Sequence, residues 1–259
     1  MQLFPVLAEE LPAFDILDLR ERLRKGGLPP ALLAKDHDHE FYAEWLDSYF
    51  ARDVQELFRL NKRGDFLRFV ELVLRQSGGM LEVTSLAKHA GISRPTVNAR
   101  LDVLQITHVA HVVRPYAEGG RREIVAQPKL YGFDTGFVSY ARGWDSLRPE
   151  DCGLLWEHLV LDTLRSIPFD SVMFWRDKQQ LEVDFVLPRG RRRVDIVECK
   201  WTVDSFESRG MTAFREDYLQ GRNLVVSPEV TKPYVRRHKH LEVEYVPFQL
   251  LRQVFLSPK

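Results

Sequence analysis

Two short runs set charged side chains among strongly apolar neighbours: Glu182-Val183-Asp184-Phe185-Val186 and Val197-Glu198-Cys199-Lys200. Both read as β-strands, joined by the basic turn Arg189-Gly190-Arg191-Arg192-Arg193. Alternate residues of a strand share a face, so Glu198 and Lys200 point one way and Cys199 the other. A hairpin then brings Asp184 beside Glu198. Two carboxylates and an ammonium at one edge of an apolar sheet cost stability and call for a chemical explanation. Divalent-metal chemistry supplies one. Mg²⁺ or Mn²⁺ takes carboxylate, water and phosphate oxygens as ligands, and it stabilises the charge that builds on a phosphodiester. Lys200 is placed to orient an attacking water or to offset that charge. Glu157, on a helix expected over 153–167, lies on the side of Leu161 and Leu164, away from His158, Asp162 and Arg165. That makes it a third candidate carboxylate.

The elements that must carry these groups run helix, three strands, helix, strand, with one more strand near the end. After the helix over 153–167, strands are expected over 172–176, 181–187 and 193–201. A helix over 208–219 precedes strands over 223–227 and 241–246. The order implies an α/β sandwich with a mixed sheet over residues 147–259. Arg176, Lys178, Arg189 and the arginines at 191–193 would suit a phosphate backbone.

Residues 65–146 have a different texture. An amphipathic helix containing Phe66, Phe69, Val70 and Val73 ends at Ser77-Gly78-Gly79. A short helix from Val83 to Ala90, a turn at Gly91 and a second helix capped by Ser93 then predict a helix-turn-helix. Strand-like runs over 108–116 and 121–126, linked by Ala117-Glu118-Gly119-Gly120, would make it winged. Bound to DNA, its second helix would present Arg94, Thr96, Asn98 and Arg100, and the wing Arg121 and Arg122. Residues 1–64 read as helices, broken by Lys25-Gly26-Gly27-Leu28-Pro29-Pro30. Asp36-His37-Asp38-His39 reads as a helix start rather than a metal site, because ligands at i and i+2 do not share a helix face.

The whole chain of 259 residues carries 37 basic and 37 acidic groups, which argues against binding nucleic acid by bulk charge. The sum hides an uneven distribution: net −5 over 1–60, +4 over 61–145 and +1 over 146–259. Two cysteines exclude a disulfide framework. No apolar run reaches the roughly 18 residues of a membrane span, and a cytoplasmic setting is expected.

Glu157 on the first helix, Asp184 on the second strand, and Glu198 with Lys200 on the third resemble the PD-(D/E)XK nuclease fold. By that resemblance Glu157, Asp184 and Glu198 are metal ligands and Lys200 is the catalytic lysine. Further runs extend the likeness: Leu3-Phe4-Pro5-Val6, Gly26-Gly27-Leu28-Pro29, Tyr49 with Arg52-Asp53-Val54, Pro128-Lys129-Leu130-Tyr131, Asp134-Thr135-Gly136 and Trp175-Arg176. Together they resemble AAA+-like bacterial and archaeal ATPases with a C-terminal nuclease-like domain of unknown function. The resemblance begins where that family's nucleotide-binding core has ended. The sequence has no G-x-x-x-x-G-K-S/T loop, so no ATP site is expected. The implied organisation is a helical segment (1–64), a winged helix-turn-helix (65–146) and a nuclease-like αβββαβ domain (147–259). Two functional classes follow. One is a Mg²⁺-dependent DNA endonuclease. The other is a non-catalytic DNA-binding regulator, or an accessory scaffold of a separate ATPase subunit.

Overall fold

Three short polar side chains fix where helices begin. Asp38 accepts the amides of Glu40 and Phe41, both at 3.1 Å, ahead of the helix His39–Tyr49. Ser93 accepts the Thr96 amide at 3.3 Å ahead of Arg94–Ile106, and Asp134 accepts that of Gly136 at 2.8 Å ahead of Thr135–Arg142. Each satisfies donors that a helix leaves open in its first turn. The computed structural model describes residues 4–16, 18–58, 62–117, 127–190 and 193–256. It forms two compact units, both discontinuous: Arg20–Val112 with Pro128–Leu147, and Met1–Leu19 with Val113–Gln127 and Arg148–Lys259.

The first of these units is mainly helical. Its elements are α1 (Leu19–Lys25), α2 (Pro29–Leu32), α3 (His39–Tyr49), α4 (Gln55–Phe58), α5 (Arg63–Arg75), α6 (Val83–Ala90), α7 (Arg94–Ile106) and α8 (Thr135–Arg142). A small sheet of β1 (Gly79–Met80), β2 (Ala110–Val113) and β3 (Lys129–Gly132) has the order β1-β3-β2. One apolar core joins Tyr42, Leu46, Phe50 and Val54 to Phe66, Phe69, Val73, Val97, Leu101, Leu104 and Phe137. The boundary expected after residue 64 therefore runs through a single core. The link and second strand of the expected wing fall at 118–126, outside the described residues.

The second unit is built on a six-stranded mixed sheet. After α9 (Pro149–Arg165) come β4 (Met173–Arg176), β5 (Glu182–Pro188), β6 (Val194–Cys199), α10 (Arg209–Asp217), β7 (Asn223–Val226), β8 (Tyr234–His238), β9 (Leu241–Val246) and α11 (Leu251–Leu256). The strand order is β4-β5-β6-β7-β9-β8. β6, β7 and β9 run parallel, while β4, β5 and β8 pair antiparallel with their neighbours. Helix α9 starts four residues before the expected 153. Pro149 suits a first helical turn, and Asp151 reaches back to the Arg148 amide at 3.0 Å. The chain is thus a mixed α/β protein. No helix among the described residues is long and apolar enough to cross a membrane.

In the helical unit Gly26 sits at φ +75°, where a Cβ would overlap Asp134 Oδ1. Asp134 is fully buried and also accepts the Gly27 amide at 2.6 Å. Beside it Arg22, equally buried, donates to Thr135 Oγ1 at 3.1 Å. Gly26→Ala adds backbone strain to a clash with a buried carboxylate. It is expected to lower stability by roughly 2–4 kcal/mol in urea unfolding.

Candidate functional site

The hairpin β5–β6 decides what the charged residues can reach. Its register pairs Phe185 with Val197, Val186 with Ile196 and Leu187 with Asp195, and one step further sets Asp184 opposite Glu198. Both carboxylates are buried, at 7% and 4% exposure. Lys200 closes the group: its Nζ donates to Glu198 Oε2 at 2.7 Å and lies 3.6 Å from Asp184 Oδ2. Asp184 Oδ2 also accepts the Cys199 amide at 2.8 Å. The Lys200 amide donates to the Val226 carbonyl at 3.0 Å, which ties the end of β6 to β7. The expected trio of Asp184, Glu198 and Lys200 is therefore brought together.

Burial, and then the Asp184 charge, raise the Glu198 carboxyl well above the usual glutamate range. Burial alone would lower the Lys200 ammonium, but the two carboxylates outweigh it and push its pKa up. The group holds one firm positive charge between two acids, one of which grips a proton more tightly than usual.

These three residues face a cleft of about 480 Å³, also lined by Gln179, Gln180, Glu182, Glu207 and Arg209. The cleft depends on a close approach of α10 to β5. A Cβ on Gly210 would overlap the Glu182 carbonyl oxygen. Met211 and Phe214, further along α10, bury against Val183, Val186 and Ile196. Glu182 was missed as a site residue, although it shares a strand face with Asp184 and that alternation could have found it. Glu207 and Arg209 were missed too, since only tertiary packing places them there.

Glu157 lies close enough to the end of β6 for its charge to act on the Cys199 thiol. Among the described residues, its carboxylate forms no set of three ligand atoms within 4.8 Å with Asp184 and Glu198. On α7, Arg94 and Asn98 are exposed and Thr96 is half-buried. Arg100 does not join them. At 9% exposure it lies over the rings of Phe66 and Phe69, at 6.0 and 5.6 Å, and donates to the Asp65 carbonyl at 2.9 Å. Arg121, Arg122, Arg191 and Arg192 lie outside the described residues. Arg189 is committed to Phe169 and Phe255, at 5.0 and 5.8 Å, rather than free for phosphate.

The chain is a mixed α/β protein whose six-stranded sheet carries a charged cluster under a cleft. Its family is defined too. Residues 16–148, just over half of the chain, match the domain of unknown function DUF8612, and the chain belongs to that family. Residues 152–248 match the domain of unknown function DUF4143, which is found in AAA-ATPase-associated proteins. No curated protein matches. Among solved structures the chain is similar to one in a half-complex of Thermococcus gammatolerans McrB AAA+ hexamers with bound McrC. That likeness has 11% identity and a TM-score of 0.31, over 69% of this chain and 46% of the other. The chain thus spans just under half the length of the structure it matches, a likeness too remote to transfer fold or function.

Lys200→Met leaves two buried acids facing each other without their cation. The expected loss is roughly 2–3 kcal/mol, discounted for partial exposure of the lysine. Glu198 binds its proton more tightly folded than unfolded, so it adds stability at low pH that fades as pH rises through the folded value. Without Lys200 that effect grows, and the gap between wild type and variant widens from pH 5 to pH 8. Urea midpoints across that range measure it; a constant gap would show that the ammonium does not serve the two acids.

Proposed function

We propose that the chain is a DNA-binding protein whose sheet-containing unit carries a Mg²⁺-dependent phosphodiesterase site of the PD-(D/E)XK nuclease type. The supporting observation is the convergence of Asp184, Glu198 and Lys200 on one cleft of a mixed sheet. Asp184 and Glu198 fit a hard divalent cation: two oxygen donors on one wall, with space for water and phosphate. Such an ion, when bound, offsets charge on a phosphodiester and makes a bound water more acidic. The chain's own groups do the rest. Lys200 holds the carboxylates in place and can turn its ammonium to a phosphate oxygen or a water. Arg209, in the first turn of α10, offers a phosphate contact on the opposite rim.

In this reading α6 and α7 act as the helix-turn-helix of a winged module. Gly91 at φ +64° makes the turn, and Arg94 and Asn98, exposed and four residues apart on one face, would meet DNA, with the half-buried Thr96 beside the Ser93 cap. Arg100 holds α7 against α5 instead.

One observation favours a second reading. Lys200 already engages both carboxylates. A closed ion triad suits a degenerate nuclease fold that binds DNA or serves as scaffold to an ATPase. The presence of a domain found in AAA-ATPase-associated proteins suits the scaffold role.

Cleavage of plasmid and branched DNA with Mg²⁺ or Mn²⁺ separates the readings. Under the first, Asp184→Ala and Lys200→Ala each lose roughly 100-fold or more in rate. Identical traces from wild type and both variants sink it and leave the second. DNA binding is tested on its own. Arg94→Ala is expected to weaken duplex binding by about five- to tenfold and to reduce the salt slope by about 1. Binding that ignores salt, or no binding, removes the DNA-binding role.

A further inference from the structure

The segment ahead of α3 holds a cluster that the charged cleft does not use. His39 Nε2 lies 2.8 Å from Asp145 Oδ1. The His37 ring sits 4.9 Å from that of His39 and 4.8 Å from that of Tyr42. One ligand atom from each of His37, His39 and Asp145 falls within 4.8 Å of the others, the one such trio of His, Cys, Asp or Glu among the described residues. All three residues belong to the helical unit.

His37 is the residue that needs explaining. It is 8% exposed, and neither Nδ1 nor Nε2 makes a well-formed hydrogen bond among the described residues, although the Gly136 backbone lies near enough to favour its protonated form. A buried polar group left unpaired costs about 1–3 kcal/mol, and a poorly aligned contact recovers little of it. Ring packing on Tyr42 and His39 does not need nitrogen; phenylalanine would do it at less cost. Burial, then the charges of His39 and Arg24, push the His37 imidazole down to about 4, so it is neutral at pH 7. Neutral imidazole is the form that ligates a metal. Arg24, the nearby cation, is itself held by Glu21, with both carboxylate oxygens at 3.0 Å.

Asp145 shows the same organisation from the other side. Its side chain is 81% exposed yet is aimed at His39, and its backbone carbonyl accepts Arg24 Nη1 at 3.1 Å. Supporting bonds of this kind orient metal ligands. Helix-face geometry does not count against the pair of histidines. Asp38 is the N-cap, so His37 precedes the helix and only His39 belongs to it.

We propose that His37, His39 and Asp145 form a binding site for a divalent transition-metal ion of the Zn²⁺ class. Two imidazoles and one carboxylate suit Zn²⁺ rather than Mg²⁺, which prefers oxygen alone. The site is thereby chemically distinct from the Asp184–Glu198 cleft and stands whether or not that cleft is catalytic. Three protein ligands leave a fourth position for water or an added ligand. The exposed side chains of His39 and Asp145 give the ion its way in.

Metal-free full-length protein is titrated with Zn²⁺ by calorimetry and with Co²⁺ by visible absorption. The expected result is one ion bound with the strong d–d absorption of four-coordinate cobalt, and a Tm raised by Zn²⁺. Asp145→Ala changes an exposed side chain the core does not need, and it is expected to weaken binding at least about tenfold and cancel the Tm rise. His37→Phe keeps the ring packing and should do the same. The charged cleft is common to wild type and variants and so cancels in the comparison. Equal affinity in wild type and Asp145→Ala, or absence of the cobalt absorption, overturns the proposal.

Discussion

One interaction shapes the charged wall of the sheet: Asp184 and Glu198 share it with Lys200, whose ammonium contacts both. Their neighbours Val183, Phe185, Val186, Ile196 and Val197 are fully buried. Removing a pair of charges from water costs several kcal/mol per ion, and an apolar trio would give a more stable sheet. A second buried acid on the same strand shows how a purely structural charge is treated. Asp195 is met by Arg222, Arg193 and Arg189, at 3.1, 3.7 and 3.9 Å, and it also accepts the Arg222 amide at 2.8 Å. It is enclosed by cations and lines no part of the cleft. Asp184 and Glu198 both contact Lys200 and line the cleft.

The charged trio was legible because strand alternation is a short-range rule. Once 182–187 and 193–201 are strands, the faces of Asp184, Glu198 and Lys200 follow, and the hairpin brings them together. The limits of the strands themselves shifted by no more than two residues. Strand β8 escaped notice for the opposite reason. Tyr-Val-Arg-Arg-His at 234–238 is exposed along nearly its whole length, so no apolar alternation marks it. It is held as an edge by pairing with β9. Arg100 misled because a helix surface position reads as solvent-facing from sequence, whereas Phe66 and Phe69 on α5 claim its guanidinium. His37 and Asp145 are over a hundred positions apart, and no local pattern joins them.

Discontinuity is the part of the fold that sequence order hides most fully. Helix α8, which follows residues 113–117 and 127 of the other unit, supplies Phe137 and Ala141 to the core that holds Ala31 and Tyr42. The N-terminal residues in turn join the sheet-containing unit, where Glu9 pairs with Arg252 at 3.1 Å. Segments cut at 64 and 146 would leave α5 and α7 without Tyr42, Phe50 and Val54. The orientation of α7, and with it the face that exposes Arg94 and Asn98, is therefore a property of the whole helical unit. Long-range closure of this kind raises contact order and slows folding relative to a local helical bundle.

The charges around the cleft constrain what can occupy it. Asp184, Glu182, Glu198 and Glu207 outnumber Lys200 and Arg209, so the lining is net negative. A phosphodiester approaching this wall alone meets repulsion at short range, in surroundings where burial strengthens it. Two adjustments reduce that repulsion without moving the backbone. Glu198 can hold its proton, which its raised pKa favours. Alternatively a divalent cation can take the carboxylates and free Lys200 to swing toward the phosphate. The first leaves a charge-neutral acid beside a satisfied ion pair and gives DNA little reason to enter. The second brings the formal charge of the lining from −2 to zero, further than protonation of Glu198, which reaches −1. On electrostatic grounds the lining favours a cation over a lone anion, and a divalent ion would remove more of its negative charge than protonation of Glu198 does.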